Sequence, residues 1–190
     1  MRFTEVKVCL GEYDKKKISI YGTSKQTLKF QIPRMYIPFG LNGFTPEVGP
    51  TKWNLDFKLS AIEEDNETYI KRFYRFVKDV EKQVIDYVQN NSLSIFGKEV
   101  DAKSLFNSNI KVDKFRIKFD PGRVSVFDTA GNPVVDEPRQ GLYSKNSGVC
   151  MVELGNVYFL NNMFGITWKI NQLKIFEPQR LNGFSFIGIE

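Results

Sequence analysis

The chain has 190 residues, 26% of them charged and 42% hydrophobic, with a net charge of +5 and no histidine. That length supports one domain with a sizeable core, in a composition ordinary for a soluble globular protein. The lack of histidine removes the commonest general base and metal ligand. The longest uncharged run, the 15 residues from Leu154 to Trp168, is broken by glycines and asparagines and cannot be a membrane span.

Met1 leads at once into charged, strand-like sequence, so no signal peptide is expected. In EVKVCL, Val6, Val8 and Leu10 alternate with Glu5, Lys7 and Cys9 and predict a strand. GEYDKKK reads as a turn, ISIYG as a strand, and LKFQI as a strand with Leu28, Phe30 and Ile32 on one face. Pro33 and Pro38 bracket RMYI, which predicts an edge or bent strand. FGLNGFTPEVGPT, residues 39–51, reads as a glycine- and proline-rich loop. WNLDFKL has the cleanest alternation: Trp53, Leu55, Phe57 and Leu59 point one way, Asn54, Asp56 and Lys58 the other. From about Asp65 to Asn90, Ile70, Phe73, Val77, Val80, Val84 and Tyr87/Val88 recur at steps of three or four and predict a long helix. Asp65 or Asn66 can cap its start and Asn90-Asn91 can end it. Its other face, with Lys71, Arg75, Lys78, Lys82 and acids between them, reads as a mixed-charge solvent face.

A short helix is expected from Asp101 to Phe106. VDKFRIKFD alternates Phe115, Ile117 and Phe119 against Lys114, Arg116 and Lys118. RVSVFD, TAGNP and VV form a hairpin pattern, and DEPRQGLYSKNSG a loop. GVCMVELGNVYFLNNMFGITWKINQLKIF, from Gly148 to Phe176, reads as strand, glycine turn, short strand, loop and long strand. Within the last of these the apolar phase of Ile166, Trp168 and Ile170 switches near Gln172 to Leu173 and Ile175, which predicts a bulge or bend. RLNGFSFIGIE closes the chain; its LNGF also occurs at 41–44 but is too short to be a repeat. Strand groups on either side of one long helix predict a mainly β fold with a helical insertion. An OB-fold-like closed barrel over residues 1–190 fits that order. A β-sandwich with a helix packed on one side is the alternative.

No GxGxxG, P-loop or nucleophile elbow is present. Cys9 and Cys150 are too far apart for a zinc site and read as free thiols of a reducing compartment. Glu63-Glu64-Asp65 and Asp136-Glu137 fall in a turn or at a helix start and read as solvated acids. Nothing here calls for a catalytic residue, metal or cofactor. The basic charge is uneven. Residues 1–34 carry eight basic against three acidic side chains, and residues 101–125 six against three. Residues 60–100 are slightly acidic, with six against eight. Such concentration suits a polyanionic partner. On one face of KFRIKF, Lys114, Arg116 and Lys118 stand about 6–7 Å apart, close to the phosphate repeat of an extended single strand. A solvated outer face is the plainer reading of the same pattern. Asp113, Asp120 and Arg123 border it.

Most rings of the last strands are expected in the core. At the phase switch, one of Trp168, Lys174 and Phe176 can leave it. Tyr158 and Phe159 are adjacent, so they point to opposite faces, and Tyr158 is the one expected to meet water and stack, flanked by Lys169 or Lys174. Arg34 and Tyr36, from the proline-bracketed strand, complete the candidate nucleic-acid-binding set.

The segment from Gly148 to Phe176, preceded by a glycine- and aspartate-containing hairpin, resembles the end of a viral protein family. This is the single-stranded-DNA-binding protein family of podovirus phages and large nucleocytoplasmic DNA viruses. MYIPFGLNGF, followed by WNLDFKL and the long helix, resembles its viral branch. The resemblance covers roughly residues 30–176 and is one of spacing. It implies an OB-fold protein that coats single-stranded DNA during viral replication and recombination, with no metal, cofactor or catalysis. It implies an intracellular setting: host cytoplasm, viral factory or nucleus. Single-stranded DNA and viral replication proteins are the implied partners, with homo-oligomers left open and no membrane. Phage members end in an acidic recruiting tail, whereas this chain ends FSFIGIE, with one acid in its last ten residues. The competing reading is a protein–protein or virion scaffold module, in which exposed aromatics and cations need not share a surface. A metal-dependent nuclease would need clustered carboxylates, and the acids here are scattered.

Overall fold

Thirteen strands and three helices follow a short 3-10 turn, Phe3–Glu5, in the computed structural model, which describes residues 2–60 and 67–178. The N-terminal strands are β1 (Cys9–Asp14), β2 (Lys17–Tyr21), β3 (Leu28–Gln31), β4 (Met35–Ile37), β5 (Leu41–Phe44) and β6 (Lys52–Lys58). The helices α1 (Tyr69–Asn90), α2 (Ser92–Phe96) and α3 (Ala102–Leu105) come next. They are followed by β7 (Phe106–Asn107), β8 (Ile110–Lys111), β9 (Lys114–Phe119), β10 (Ser125–Phe127), β11 (Pro133–Val134), β12 (Asn146–Leu160) and β13 (Met163–Phe176).

Five of these strands close on themselves. β12 pairs with β4, β4 with β6, β6 with β9, β9 with β13, and β13 with β12. Each pairing is antiparallel except β9–β13, where Lys118 lies beside Lys169 in parallel. This is an OB-type barrel with its long helix inserted between the second and third barrel strands. Ring closure rules out the β-sandwich alternative.

Alternation explains which side chains enter the barrel. Phe115 and Ile117 on β9 are buried opposite Phe57 and Leu55 on β6, and the buried Phe119 faces the half-buried Trp53. Trp168 sits among Phe30, Phe73, Phe76 and Phe115, each edge-on with ring centroids 5.2–6.5 Å away. Edge-to-face pairs of this kind add to the area they bury. Helix α1 supplies Phe73 to that cluster and buries Val77, Val80, Val84 and Val88 along the same stripe. Its cap is Thr68, whose hydroxyl accepts from the Lys71 amide at 3.0 Å. The expected caps Asp65 and Asn66 lie outside the described residues, as do Glu63-Glu64-Asp65 and the closing RLNGFSFIGIE. Asn91 ends the helix as expected. No helix among the described residues is long and apolar enough to cross a membrane.

Several local expectations are corrected. GEYD is strand rather than turn, because Tyr13 packs edge-on against Phe159 at 5.1 Å; the reversal falls on Lys15 and Lys16. RMYI is no edge strand: β4 pairs on both sides, with β12 and β6. Residues 41–44 of the expected loop form β5 against β6. Gly155 makes no turn. β12 runs through it with a register shift between Leu154 and Val157, and a Cβ there would come within 3.1 Å of the Thr167 carbonyl oxygen. The phase switch of β13 is a bulge: Met151 faces Gln172 and Val152 faces Ile170, which leaves Asn171 unmatched.

Candidate nucleic-acid interface

Between the buried Phe115, Ile117 and Phe119, the side chains of Lys114, Arg116 and Lys118 point out of the barrel. Their cross-strand partners on β6 are Lys58, Asp56 and Asn54. Arg116 grips Asp56 with two hydrogen bonds, Nε to Oδ1 and Nη2 to Oδ2, both 2.8 Å. Asp56 is 6% exposed, and these bonds hold the Arg116 guanidinium above its ordinary pKa. Arg116 is thus charged but already engaged. Lys114 lies 3.7 Å from Asp113, and its ammonium is 5.3 Å from the centre of the Phe39 ring. Lys58 also bonds Asp113. Lys118 has no acidic partner among the described residues.

Register carries this surface further round the barrel. Lys114 faces Lys58, Lys58 faces Tyr36, Tyr36 faces Ser147, and Ser147 faces Phe176. All five occupy outward positions, on β9, β6, β4, β12 and β13 in turn. Neighbouring strands lie about 4.8 Å apart, so the row spans roughly 19 Å. Two lysines open it, and two rings with a serine between them follow. The Arg34 guanidinium lies 4.1 Å from the centre of the Phe176 ring, and its Nε donates to Ser147 Oγ at 2.8 Å. Lys174 approaches the same ring at 5.6 Å. Tyr36 is 46% exposed and Phe39 59%.

A second row runs the other way: Asn54, Lys118, Lys169, Glu153 and Lys29. Here Glu153 sits 3.5 Å from Lys29 and 4.0 Å from Lys169, which offsets part of the charge. Tyr158 belongs near this row and faces Lys17 across β2. Its hydroxyl accepts from Asn107 Nδ2 at 3.1 Å, and its ring covers Gly165, where a Cβ would come within 2.7 Å of that hydroxyl. Lys174 is at the far end of β13 and does not flank it. Phe159 is half-buried, stacked on Phe164 at 5.6 Å.

Trp168 is corrected outright. It is 1% exposed, because the bulge comes at Asn171, after Trp168 has already followed Ile166 inward. The phase switch brings out Lys174 and Phe176 instead. Arg123 lies in an exposed turn, paired with Asp120 at 3.4 Å, away from both rows. Arg34, Tyr36, Lys114 and Lys174 are brought together. Lys58, Phe39 and Lys17 lie outside the candidate set, whereas Phe176 is one of the three side chains of which one is expected to leave the core at the phase switch. Lys58 stood on the polar face of WNLDFKL. Phe39 had no periodicity around it.

The class that this architecture defines is the OB-fold barrel, whose second and third strands form a ligand-binding face in other proteins. No family model and no curated protein matches the sequence. Among solved structures, the chain shares its fold with phage single-stranded DNA-binding proteins. The C-terminally truncated single-stranded DNA-binding protein of bacteriophage Enc34 superposes with a TM-score of 0.51 at 11% identity, over 92% of this chain and 97% of that one. The Enc34 protein in complex with ssDNA gives 0.49 at 11% identity, over 93% and 99%. Gp2.5, the single-stranded DNA-binding protein encoded by bacteriophage T7, gives 0.49 at 12% identity, over 83% and 91%.

Proposed function

We propose that the protein binds single-stranded DNA without regard to sequence and coats it during viral replication and recombination, with no chemical step of its own. The observation that carries this reading is the outward row from Lys114 to Phe176, in which cations and aromatic rings stand side by side. A scaffold role would leave rings and cations free to lie apart. Lys58, Lys114, Arg34 and Lys174 are spaced to meet phosphates, and Tyr36, Phe39 and Phe176 to stack on bases, which every base permits through its π-face. A duplex keeps its bases stacked on one another and cannot offer them to Tyr36. The shared fold with a phage protein named for single-stranded DNA binding supports the assignment and its viral setting.

Fluorescence titration with oligo-dT and with a matched duplex, each at two salt concentrations, tests it. The single strand should bind more tightly. Its log affinity should fall with log salt at a slope of about −3 if those four cations meet phosphates. Equal binding of duplex at both salt concentrations would leave only a general polyanion surface.

A further inference from the structure

At the end of the molecule away from Phe176, an open groove of about 660 Å³ runs between the tips of two hairpins and the helices α2 and α3. One tip is Lys15-Lys16, which joins β1 to β2; the other is Asn161-Asn162, which joins β12 to β13. Tyr13, Ile95, Phe96, Leu105, Phe159 and Leu160 give the groove an apolar lining, and Leu160 is 64% exposed. Lys16 and Lys98 also line it, both exposed and both without an acidic partner among the described residues. Asp101, the acid among the lining residues, is engaged: its carboxylate accepts from the Lys103 amide at 3.2 Å and caps α3. The walls are held in place. Gln89 of α1 donates to the Val100 carbonyl and accepts from the Ala102 amide, both at 2.9 Å. The Phe159 amide donates to the Lys16 carbonyl at 3.2 Å. Both tips are two-residue turns with a left-handed backbone. Asparagine suits that conformation, whereas lysine, with φ of 47° at Lys15 and 63° at Lys16, gains nothing from it locally. Cations occupy this tip against local preference.

We infer that this groove docks an acidic peptide segment of a partner protein, with an apolar side chain on the lining and carboxylates on Lys16 and Lys98. An apolar surface edged by unpaired cations calls for the reverse pattern in its ligand. Burial of the apolar side chain supplies affinity, and the charges set its orientation and exclude basic competitors. Single-stranded DNA also carries negative charge, but it needs open ring faces for its bases. Phe159 has none to give: it is stacked on Phe164 at 5.6 Å and meets Tyr13 and Phe96 edge-on at 5.1 and 6.0 Å. Rings interlocked in this way offer rims, which suit an aliphatic or aromatic side chain better than a stacked base. A second copy of this chain is a poor source of acids, since each copy carries a net charge of +5. Ser147 of the first row and Leu160 of the groove stand near opposite ends of β12, with roughly 40 Å of strand between them. Peptide and single strand therefore have room to be held together, and the groove does not depend on the single-strand reading.

The probe is a short fluorescein-labelled peptide in which leucine and phenylalanine alternate with pairs of glutamates, followed by anisotropy. One control peptide has glutamine for every glutamate, and another has alanine for every leucine and phenylalanine. Wild-type protein should bind the probe about tenfold or more tightly than either control. Leu160→Gln, at an exposed position, should weaken probe binding by about fivefold or more and leave oligo-dT affinity unchanged. The double change Lys16→Glu and Lys98→Glu should abolish probe binding and create binding of a peptide with lysine for every glutamate, which wild-type protein should refuse. Saturating oligo-dT should not displace the probe from wild-type protein. Equal binding of the probe and either control, or normal probe binding by both variants, overturns the inference. Displacement by oligo-dT would put the peptide on the DNA-binding row and overturn it as well. A dimer in sedimentation that Leu160→Gln dissociates would make a second copy the occupant, and the partner peptide would fail. Titration of wild-type protein with oligo-dT alone judges the single-strand reading, so either can fail without the other.

Discussion

Tyr36 stands between Met35 and Ile37, both buried, so its ring has only the outer surface to occupy. Lys58 on one side and Ser147 on the other leave it as the middle ring of the row. Tyr36→Ala should weaken single-strand binding by about 1–3 kcal/mol in a titration. Its melting temperature should stay close to wild type, because little packing is lost. Tyr158, the ring favoured by the sequence, has spent its hydroxyl on Asn107 and its face on Gly165. Alternation could say that it faces outward, but not that Asn107 of β7 would bond its hydroxyl. Tyr143 makes a different point. Burial, reinforced by Asp136, pushes its pKa up to about 12 from an ordinary 10. Across pH 10 to 12 the folded phenol keeps a proton that the unfolded chain gives up, so stability falls as pH rises through that window. Tyr143→Phe should remove this part of the alkaline loss, as read from urea midpoints on either side of the window.

Strand β9 shows why a row of cations is not uniform. Arg116 neutralises a buried carboxylate, whereas Lys118 has no acidic partner among the described residues and Lys114 lies over Phe39. Arg116→Gln would strand Asp56 and should cost about 1–3 kcal/mol of stability. The double change Lys114→Gln and Lys118→Gln should leave the unfolding midpoint near wild type and flatten the salt dependence of DNA binding. Comparing urea midpoints and salt slopes for the two variants separates structure from binding on a single strand. The element itself was legible, since three aromatic and aliphatic residues alternate with three cations. So were β6, α1, the hairpin of β10 and β11, and the bulge in β13. What the sequence could not show was β5, in which only Leu41 is buried and whose existence depends on pairing with β6. The same holds for β4. Two flanking prolines suggest an edge, but its own amides between them are intact and pair on both sides.

At the scale of the whole molecule, the surface row exists only because distant strands meet. Alternation assigns each residue to a face but not to a neighbour. Tyr36 and Ser147 touch because β4 closes on β12, and Lys118 reaches Lys169 because β9 runs parallel to β13. Closure also sets the order in which the barrel can assemble. β12 and β13 are the longest strands and are joined by Asn161 and Asn162, with φ of 49° and 61°. Both values suit the tight hairpin turn in which asparagine is well tolerated. This hairpin closes a short loop, whereas every other seam of the ring waits on a much longer one. It is therefore the natural folding nucleus, and ring closure the late event. Asn161→Ala, which burdens only the turn, should slow refolding in stopped-flow mixing and leave the unfolding rate almost unchanged. Slower folding exposes the seam strands β4 and β9 for longer, each with unpaired backbone along both edges. A cell making this protein quickly would meet that hazard first at the ribosome, since β4 is synthesised more than a hundred residues before its partner β12.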